Sequence, residues 1–348
     1  MADRNTTVAL DRFTWRMLSQ QVSPWEFEQI KKKVESWDQW CEEWSKAARK
    51  HADIADKALA EGHKVTAGAA YMRAALYYQW ATFLFVHDQK QWLAAKQAGD
   101  ACFRKAAPLV DPPMDLMEIP FEGITLPGYL RKPKGVAKPP LVILVPGGDS
   151  TKEELYDFGD HMIARGLAVF AFDGPGQGLV STKAKLRPDF EVPIRAVTDY
   201  VLKRAGVDEK RLAIGGISYG GIFACRAAAF DDRFKAVVSV SSWYTPAGRF
   251  PGMDPLSQLG LTQYMGPDPK SVQDSITMAG IGEKLKVPLL QVYGGLDKAS
   301  PPEHAYRVEK EVKGRTTTLV YDEGVHVCNN LSHIVRPLIA DWLSDHLK

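Results

Sequence analysis

Two rhythms of apolar residues divide the chain. Up to about residue 110 the spacing is helical. Phe27, Ile30, Val34, Trp37, Cys41, Trp44 and Ala48 alternate steps of three and four, which predicts one apolar stripe along one long helix. Ser23-Pro24-Trp25-Glu26 reads as its start, a capping box with proline at the first helical position, and Gly62 as its stop. A second pattern runs from Thr66 through Tyr71, Ala75, Tyr78 and Phe85. A third follows Asp88, carries Trp92 and Phe103, and ends at Pro108. Seven of the nine tryptophans fall in this stretch, as packing residues of a helical domain or, for one or two, as walls of a pocket for a flat apolar ligand. Asp111-Pro112-Pro113 is the predicted linker, so the expected domains are 1–112 and 113–348.

Beyond the linker the pattern changes. Short apolar runs at 141–145, 168–172, 212–217, 236–240, 289–293 and 316–321 suit strands buried on both faces, and 116–121 with 124–131 read as an antiparallel pair. Helical stretches at 152–165, 189–204, 220–230, 302–313 and 332–346 alternate with them. Such alternation predicts an α/β class with a mostly parallel sheet and helices on both faces. Ligands on such sheets bind beyond the carboxyl ends of the strands, so the residues that follow strands carry the interest. The segment 243–286 is expected to form a small lid. Together with the helical domain it is expected to cover the strand ends and shape an apolar, aromatic-lined cavity.

Composition narrows the function classes. Of 348 residues, 45% are hydrophobic and 25% charged, ordinary values for a folded globular chain. The apolar runs are strand-sized, far short of the roughly 18 residues of a membrane span. The start of the chain shows no apolar stretch behind a basic one, so a cytoplasmic location is expected. A net charge of +2 without a basic run gives no support to nucleic-acid or membrane partners. The four cysteines, Cys41, Cys102, Cys225 and Cys328, are too scattered for a zinc site and read as free thiols. No cofactor is implied.

The strongest chemical signal is Gly216-Ile217-Ser218-Tyr219-Gly220, between a predicted strand and a predicted helix. A G-x-S-x-G turn in that context thrusts a serine outwards, and the flanking glycines avoid collision in the sharp bend. The alternative is a glycine-rich packing turn. A serine needs a base, and the base needs a partner to fix its tautomer. In this fold class the order is serine, acid, histidine, each after a later strand. Asp297 follows the run 289–293 and His326 follows 316–321, which makes Asp297 the expected orienting carboxylate and His326 the general base and acid. Asp322 and Glu323 compete for the acid role but sit on the same strand end as His326, so they read as solvated loop residues, and His87, His161, His304 and His333 read as surface or core histidines of predicted helices. An oxyanion needs backbone amides: Tyr219 is expected to supply one, and Gly148, in the loop after 141–145, the other. Asp173-Gly174-Pro175-Gly176-Gln177-Gly178 lacks the lysine and spacing of a P-loop and reads as a structural turn.

These residues resemble the α/β-hydrolase superfamily from about residue 115 to the end. Gly147-Gly148-Asp149-Ser150-Thr151-Lys152-Glu153-Glu154, Phe172-Asp173-Gly174-Pro175-Gly176-Gln177-Gly178 and His326, Cys328-Asn329-Asn330 and Ala340-Asp341-Trp342-Leu343 are similar to the 2,6-dihydroxypseudooxynicotine hydrolase group, which also places a helical domain first. The resemblance implies a serine hydrolase that cleaves a carbon–carbon bond beside a ketone in a small aromatic or heteroaromatic substrate. Fungal polyketide acyltransferases share much of the pattern. One departure stands out: residues 242–250 hold no glutamate, where the nicotine-pathway enzyme is expected to carry an auxiliary acid. Esterase, lactonase, thioesterase and acyltransferase chemistry would use the same three side chains, whereas a non-catalytic binding protein would be expected to lose one. The expected partner is a small apolar carbonyl compound. Assembly stays open, with a homodimer through the aromatic helical domain as one expectation.

Overall fold

In the computed structural model, which describes residues 2–348, the first third of the chain forms helices α1 (Arg4–Leu18), α2 (Pro24–Lys31), α3 (Trp37–Ala60), α4 (Lys64–Thr82) and α5 (Gln89–Ala106). Asp3 caps α1 by accepting from the Thr6 amide at 2.8 Å, and its second oxygen accepts from the Trp37 amide at 2.6 Å. One short side chain thus satisfies orphan donors of two helices.

The stripe from Phe27 to Ala48 is buried throughout, yet it lies on two helices rather than one. Ser36-Trp37-Asp38-Gln39 is a second capping box: Gln39 Oε1 accepts from the amides of Ser36 at 3.2 Å and Glu35 at 2.9 Å. Apolar spacing keeps its phase across the break because Val34 stays buried in the connection. The box at Ser23 is only half made. Ser23 Oγ accepts from the Glu26 amide at 3.5 Å, but the Glu26 carboxylate is taken by the Tyr77 hydroxyl at 2.6 Å and by His51 at 2.9 Å. The Ser23 amide donates instead to Tyr77 Oη at 3.0 Å. α4 is buried on nearly every side, and Gly68 admits Leu109, which a β-carbon there would approach to 2.9 Å. The tryptophans stack in sequence: ring centroids of Trp37 and Trp40 are 4.9 Å apart, and those of Trp40 and Trp44 are 5.7 Å apart. His87 lies in the loop before α5, not within a helix, with Nε2 2.9 Å from Asp38 Oδ1.

The rest of the chain builds a sheet of β1 (Asp115–Phe121), β2 (Ile124–Arg131), β3 (Pro140–Val145), β4 (Ala168–Phe172), β5 (Asp208–Ile217), β6 (Phe234–Val240), β7 (Leu289–Gly294) and β8 (Thr316–Tyr321). Their order is β1-β2-β4-β3-β5-β6-β7-β8. β3 to β8 pair in parallel and β2 runs antiparallel to β4. β3 and β4 are buried along their whole length, as strands covered on both faces must be. Helices α6 (Tyr156–Ile163), α7 (Glu191–Leu202), α8 (Tyr219–Phe230), α9 (Pro255–Met265), α10 (Pro269–Ser275), α11 (Glu303–Glu311) and α12 (Ser332–His346) connect and flank the strands. The segment 152–165 starts as a 3₁₀ turn, Lys152–Leu155, before α6. The segment expected as a lid contains α9 and α10, each begun by a proline.

The chain divides into two compact units, one running up to Leu116 and joined by Asp254–Gly260, the other Met117–Met253 with Leu261–Lys348. The division falls a few residues after the expected 112/113, and part of the expected lid groups with the helical unit. Among the described residues, no helix is long and apolar enough to cross a membrane.

Candidate active site

The strand order reverses around β3: its successor β4 lies on one side and β5 on the other. Val145 at the end of β3 is in register with Gly216 near the end of β5, so the loops that follow emerge side by side at the switch point. Ser218 is the hinge between β5 and α8. Its φ of 55° and ψ of −123° lie in a region that strains any residue with a β-carbon. Its amide is pinned to the Val240 carbonyl at 2.8 Å. Glycine is required on both sides of the bend: a β-carbon at Gly216 would meet the Gly220 carbonyl oxygen at 2.0 Å, and one at Gly220 the Val145 carbonyl oxygen at 2.1 Å.

The three side chains expected to act together meet at this edge. His326 Nε2 lies 3.1 Å from Ser218 Oγ, and His326 Nδ1 lies 2.7 Å from Asp297 Oδ2. Asp297 Oδ1 accepts from the amides of Ala299 at 2.9 Å and Ser300 at 3.0 Å. Burial opposes ionisation of Asp297, but the electrostatic pull of the neighbouring imidazole and these hydrogen bonds outweigh it and hold the carboxyl below its usual range. An ionised carboxylate only accepts, so the proton sits on Nδ1 and Nε2 presents its lone pair to the serine hydroxyl.

The histidine loop is held from several sides. Val327 and Cys328 adopt φ of 62° and 49°, which turns the chain sharply after His326. The Val327 amide donates to Ser241 Oγ at 2.9 Å, and Asn329 Nδ2 donates to the His326 carbonyl at 3.0 Å. Asn330 accepts from the Val325 amide at 2.9 Å and donates to the Glu323 carbonyl at 2.8 Å. Asn329 and Asn330 were visible in the sequence as part of a family resemblance; their work is to fix this loop.

On the oxyanion side, Tyr219 opens α8, where the first amides have no partner within the helix. A β-carbon at Gly148 would stand 3.0 Å from the Tyr219 ring, and one at Gly147 would stand 3.2 Å from Ser218 Cβ. The loop after β3 therefore lies against the serine and the residue that follows it. Behind it, Asp173 at the end of β4 accepts from the Lys152 amide at 2.7 Å and pairs with Lys152 Nζ at 2.9 Å. Burial pushes the Asp173 carboxyl up to about 6 against the pull of that ammonium.

The model of the family described as Esterase FrsA-like matches residues 35–244, and that of the prolyl oligopeptidase family matches residues 190–347. A 2,6-dihydropseudooxynicotine hydrolase of Paenarthrobacter nicotinovorans is 30% identical over 320 residues, 88% of this chain and 84% of that protein. The chain belongs to the FrsA-like α/β-hydrolases. A crystal structure of the 2,6-dihydroxy-pseudo-oxynicotine hydrolase superposes on this FrsA-like hydrolase with a TM-score of 0.88 at 27% identity, covering 96% of this chain and 95% of that one. The α/β-hydrolase xenA of Xenoacremonium sinensis is 39% identical over 222 residues, 60% of this chain and 52% of xenA, so the match spans about half of that relative.

Three further side chains of this FrsA-like hydrolase shape the same edge without a sequence signature. Trp243 donates its indole N–H to the Ala299 carbonyl at 2.9 Å, which buttresses the turn that presents Asp297. Its ring lies 4.6 Å from that of Tyr219 and 6.2 Å from that of His326. Gln273, buried in α10, donates to Tyr219 Oη at 2.5 Å and fixes the ring beside Gly148. Ser241, with a φ of 46°, joins β6 to the histidine loop. Each is an ordinary residue in a loop or short helix, and no spacing rule singles it out. Among the described residues, no group of three His, Cys, Asp or Glu side chains is placed to hold a metal ion.

Proposed function

We propose that Ser218, His326 and Asp297 act as nucleophile, general base and orienting acid, and that the protein hydrolyses a carbon–carbon bond beside a ketone in a small aromatic or heteroaromatic substrate. The observation that carries the reading is His326 bridging Asp297 at 2.7 Å and a backbone-strained Ser218 at 3.1 Å. Ser218 Oγ adds to the ketone carbon while His326 Nε2 takes its proton. The amides of Gly148 and Tyr219 receive the tetrahedral oxyanion. Collapse breaks the adjacent carbon–carbon bond and expels a carbanion, stabilised by its own ring or carbonyl, which the His326 imidazolium protonates. Water, deprotonated by His326, then releases the acyl group as a carboxylic acid and restores the serine. Similarity over most of the chain to a 2,6-dihydropseudooxynicotine hydrolase supports this leaving group over an alkoxide.

Ester hydrolysis by the same groups is the second reading, favoured by the esterase description of the matching family. A fluorophosphonate is expected to label Ser218 and to leave Ser218→Ala unlabelled; a label on another serine would overturn the assignment. Comparing p-nitrophenyl esters with aryl 1,3-diketones then separates the two chemistries. Rapid turnover of short esters with no diketone cleavage would leave the esterase reading standing alone.

A further inference from the structure

Gln177 belongs to the glycine-rich loop after β4, which the sequence offered only as a turn. Its side chain is fully buried, and its carboxamide is engaged at both ends. Oε1 accepts from the Gly174 amide at 2.9 Å, which folds the loop onto the carboxamide. Nε2 donates to the Pro146 carbonyl at 2.8 Å and to the Gly147 carbonyl at 2.9 Å. These two carbonyls belong to the loop that carries the expected oxyanion amide.

A trans peptide is planar, and its N–H points opposite to its C=O. The Pro146 carbonyl shares a peptide unit with the Gly147 N–H, and the Gly147 carbonyl shares one with the Gly148 N–H. Drawing both carbonyls towards one NH₂ group therefore turns both N–H groups the other way. Gly147 and Gly148 have no side chains to fix these planes by packing, so the orientation has to come from outside. Oxyanion stabilisation depends on donors aimed before the charge develops. We propose that Gln177 is a positioning residue that locks the two peptide planes of the Pro146–Gly148 loop so that their amides face the oxyanion formed at Ser218. The inference rests on the nucleophilic reading of Ser218 and adds to it the group that preorganises its oxyanion hole.

The test uses the full-length protein, p-nitrophenyl acetate, and fluorophosphonate labelling. Gln177→Glu keeps the acceptor for Gly174 and removes the NH₂ group; Gln177→Met removes all three hydrogen bonds at similar volume. Both variants are expected to lose about 10²–10³-fold in kcat, the range for a disabled oxyanion donor, with KM changed less than about threefold. The Gln177→Glu variant should recover part of its kcat as pH falls, because a protonated carboxyl regains one donor, whereas Gln177→Met should not. Ser181→Ala serves as control: it removes a buried hydroxyl that donates to the Gly178 carbonyl at 2.8 Å in the same loop, so it lowers thermal stability without a comparable loss of kcat. Gln177 variants with wild-type kcat, or with losses no greater than Ser181→Ala at matched stability, would overturn the positioning role while leaving the nucleophile intact. Failure of the wild-type protein to label at Ser218 would remove both readings together.

Discussion

In the helical unit a carboxylate sits at the centre of its polar cluster: Glu26 accepts from Tyr77 at 2.6 Å and contacts His51 at 2.9 Å. In the α/β unit the histidine sits at the centre, with Asp297 on one nitrogen and Ser218 on the other. The same three kinds of group are present in both. Order decides what they can do. At Glu26 nothing accepts a proton from the hydroxyl with the strength of an oriented imidazole, and burial followed by the hydrogen bond to Glu26 pushes the Tyr77 hydroxyl above its usual value. That arrangement quiets the hydroxyl and ties α2, α3 and α4 together. At His326 the carboxylate turns the ring's lone pair towards the serine, on a residue whose backbone strain lifts it out of regular structure. The same kinds of side chain thus make a structural tie in one unit and the proposed reactive site in the other.

Substitutions at the two clusters should separate in kind. The largest effect is expected at Ser218→Ala or His326→Ala, with losses on the order of 10⁴-fold or more in kcat and no change in fold by circular dichroism. Asp297→Asn should follow at about 10³–10⁴-fold, since the asparagine amide permits the wrong tautomer. Its stability effect carries a sign that can be checked. The folded pKa of Asp297 is lowered, so its contribution is fully present above the unfolded value of about 3.9 and is lost as pH falls through the lower folded value. The Tm gap between wild type and Asp297→Asn should hold steady near neutrality and close in acid. Trp243→Phe, which removes the indole donor to Ala299, is expected to lower kcat about tenfold, equivalent to about 1.4 kcal/mol, with KM little changed. Tyr77→Phe is the opposite probe. It should destabilise the protein by about 1–2 kcal/mol in denaturant melts while leaving kcat within twofold. A Tyr77→Phe variant that lost activity but no stability would erase the contrast between the clusters.

Legibility in the sequence followed the same divide. The inner parallel strands were readable because burial on both faces writes continuous apolar runs, and β4 falls on the expected residues, whereas β8 falls on its expected residues without being buried on both faces. The serine bend was readable because steric exclusion at Gly216 and Gly220 leaves a fixed spacing behind. Asp297 and His326 were found from their places after β7 and β8. What escaped notice was decided by tertiary contact. Glu26 is spaced for a capping box, yet Tyr77 and His51, far along the chain, take its carboxylate. The stripe through Val34 kept its period while the backbone left the helix for Ser36 to cap the next one. Gln177 and Trp243 act through carbonyl oxygens, which every residue possesses, so no side-chain pattern announces their partners.

The grouping of Asp254–Gly260 with the first 116 residues has a bearing on how the chain is made. Arg12 Nη1 meets Asp254 Oδ2 at 2.6 Å across 242 positions, and Gly260 leaves room for Leu84, whose Cδ2 would stand 2.4 Å from a β-carbon there. A ribosome adding roughly 5–20 residues per second finishes α1 on the order of tens of seconds before it reaches that partner. The amino-terminal helices must therefore wait, incompletely covered, until the sheet is well under way, and translation pauses between residues 116 and 254 would lengthen the interval in which they are open to chaperones and proteases.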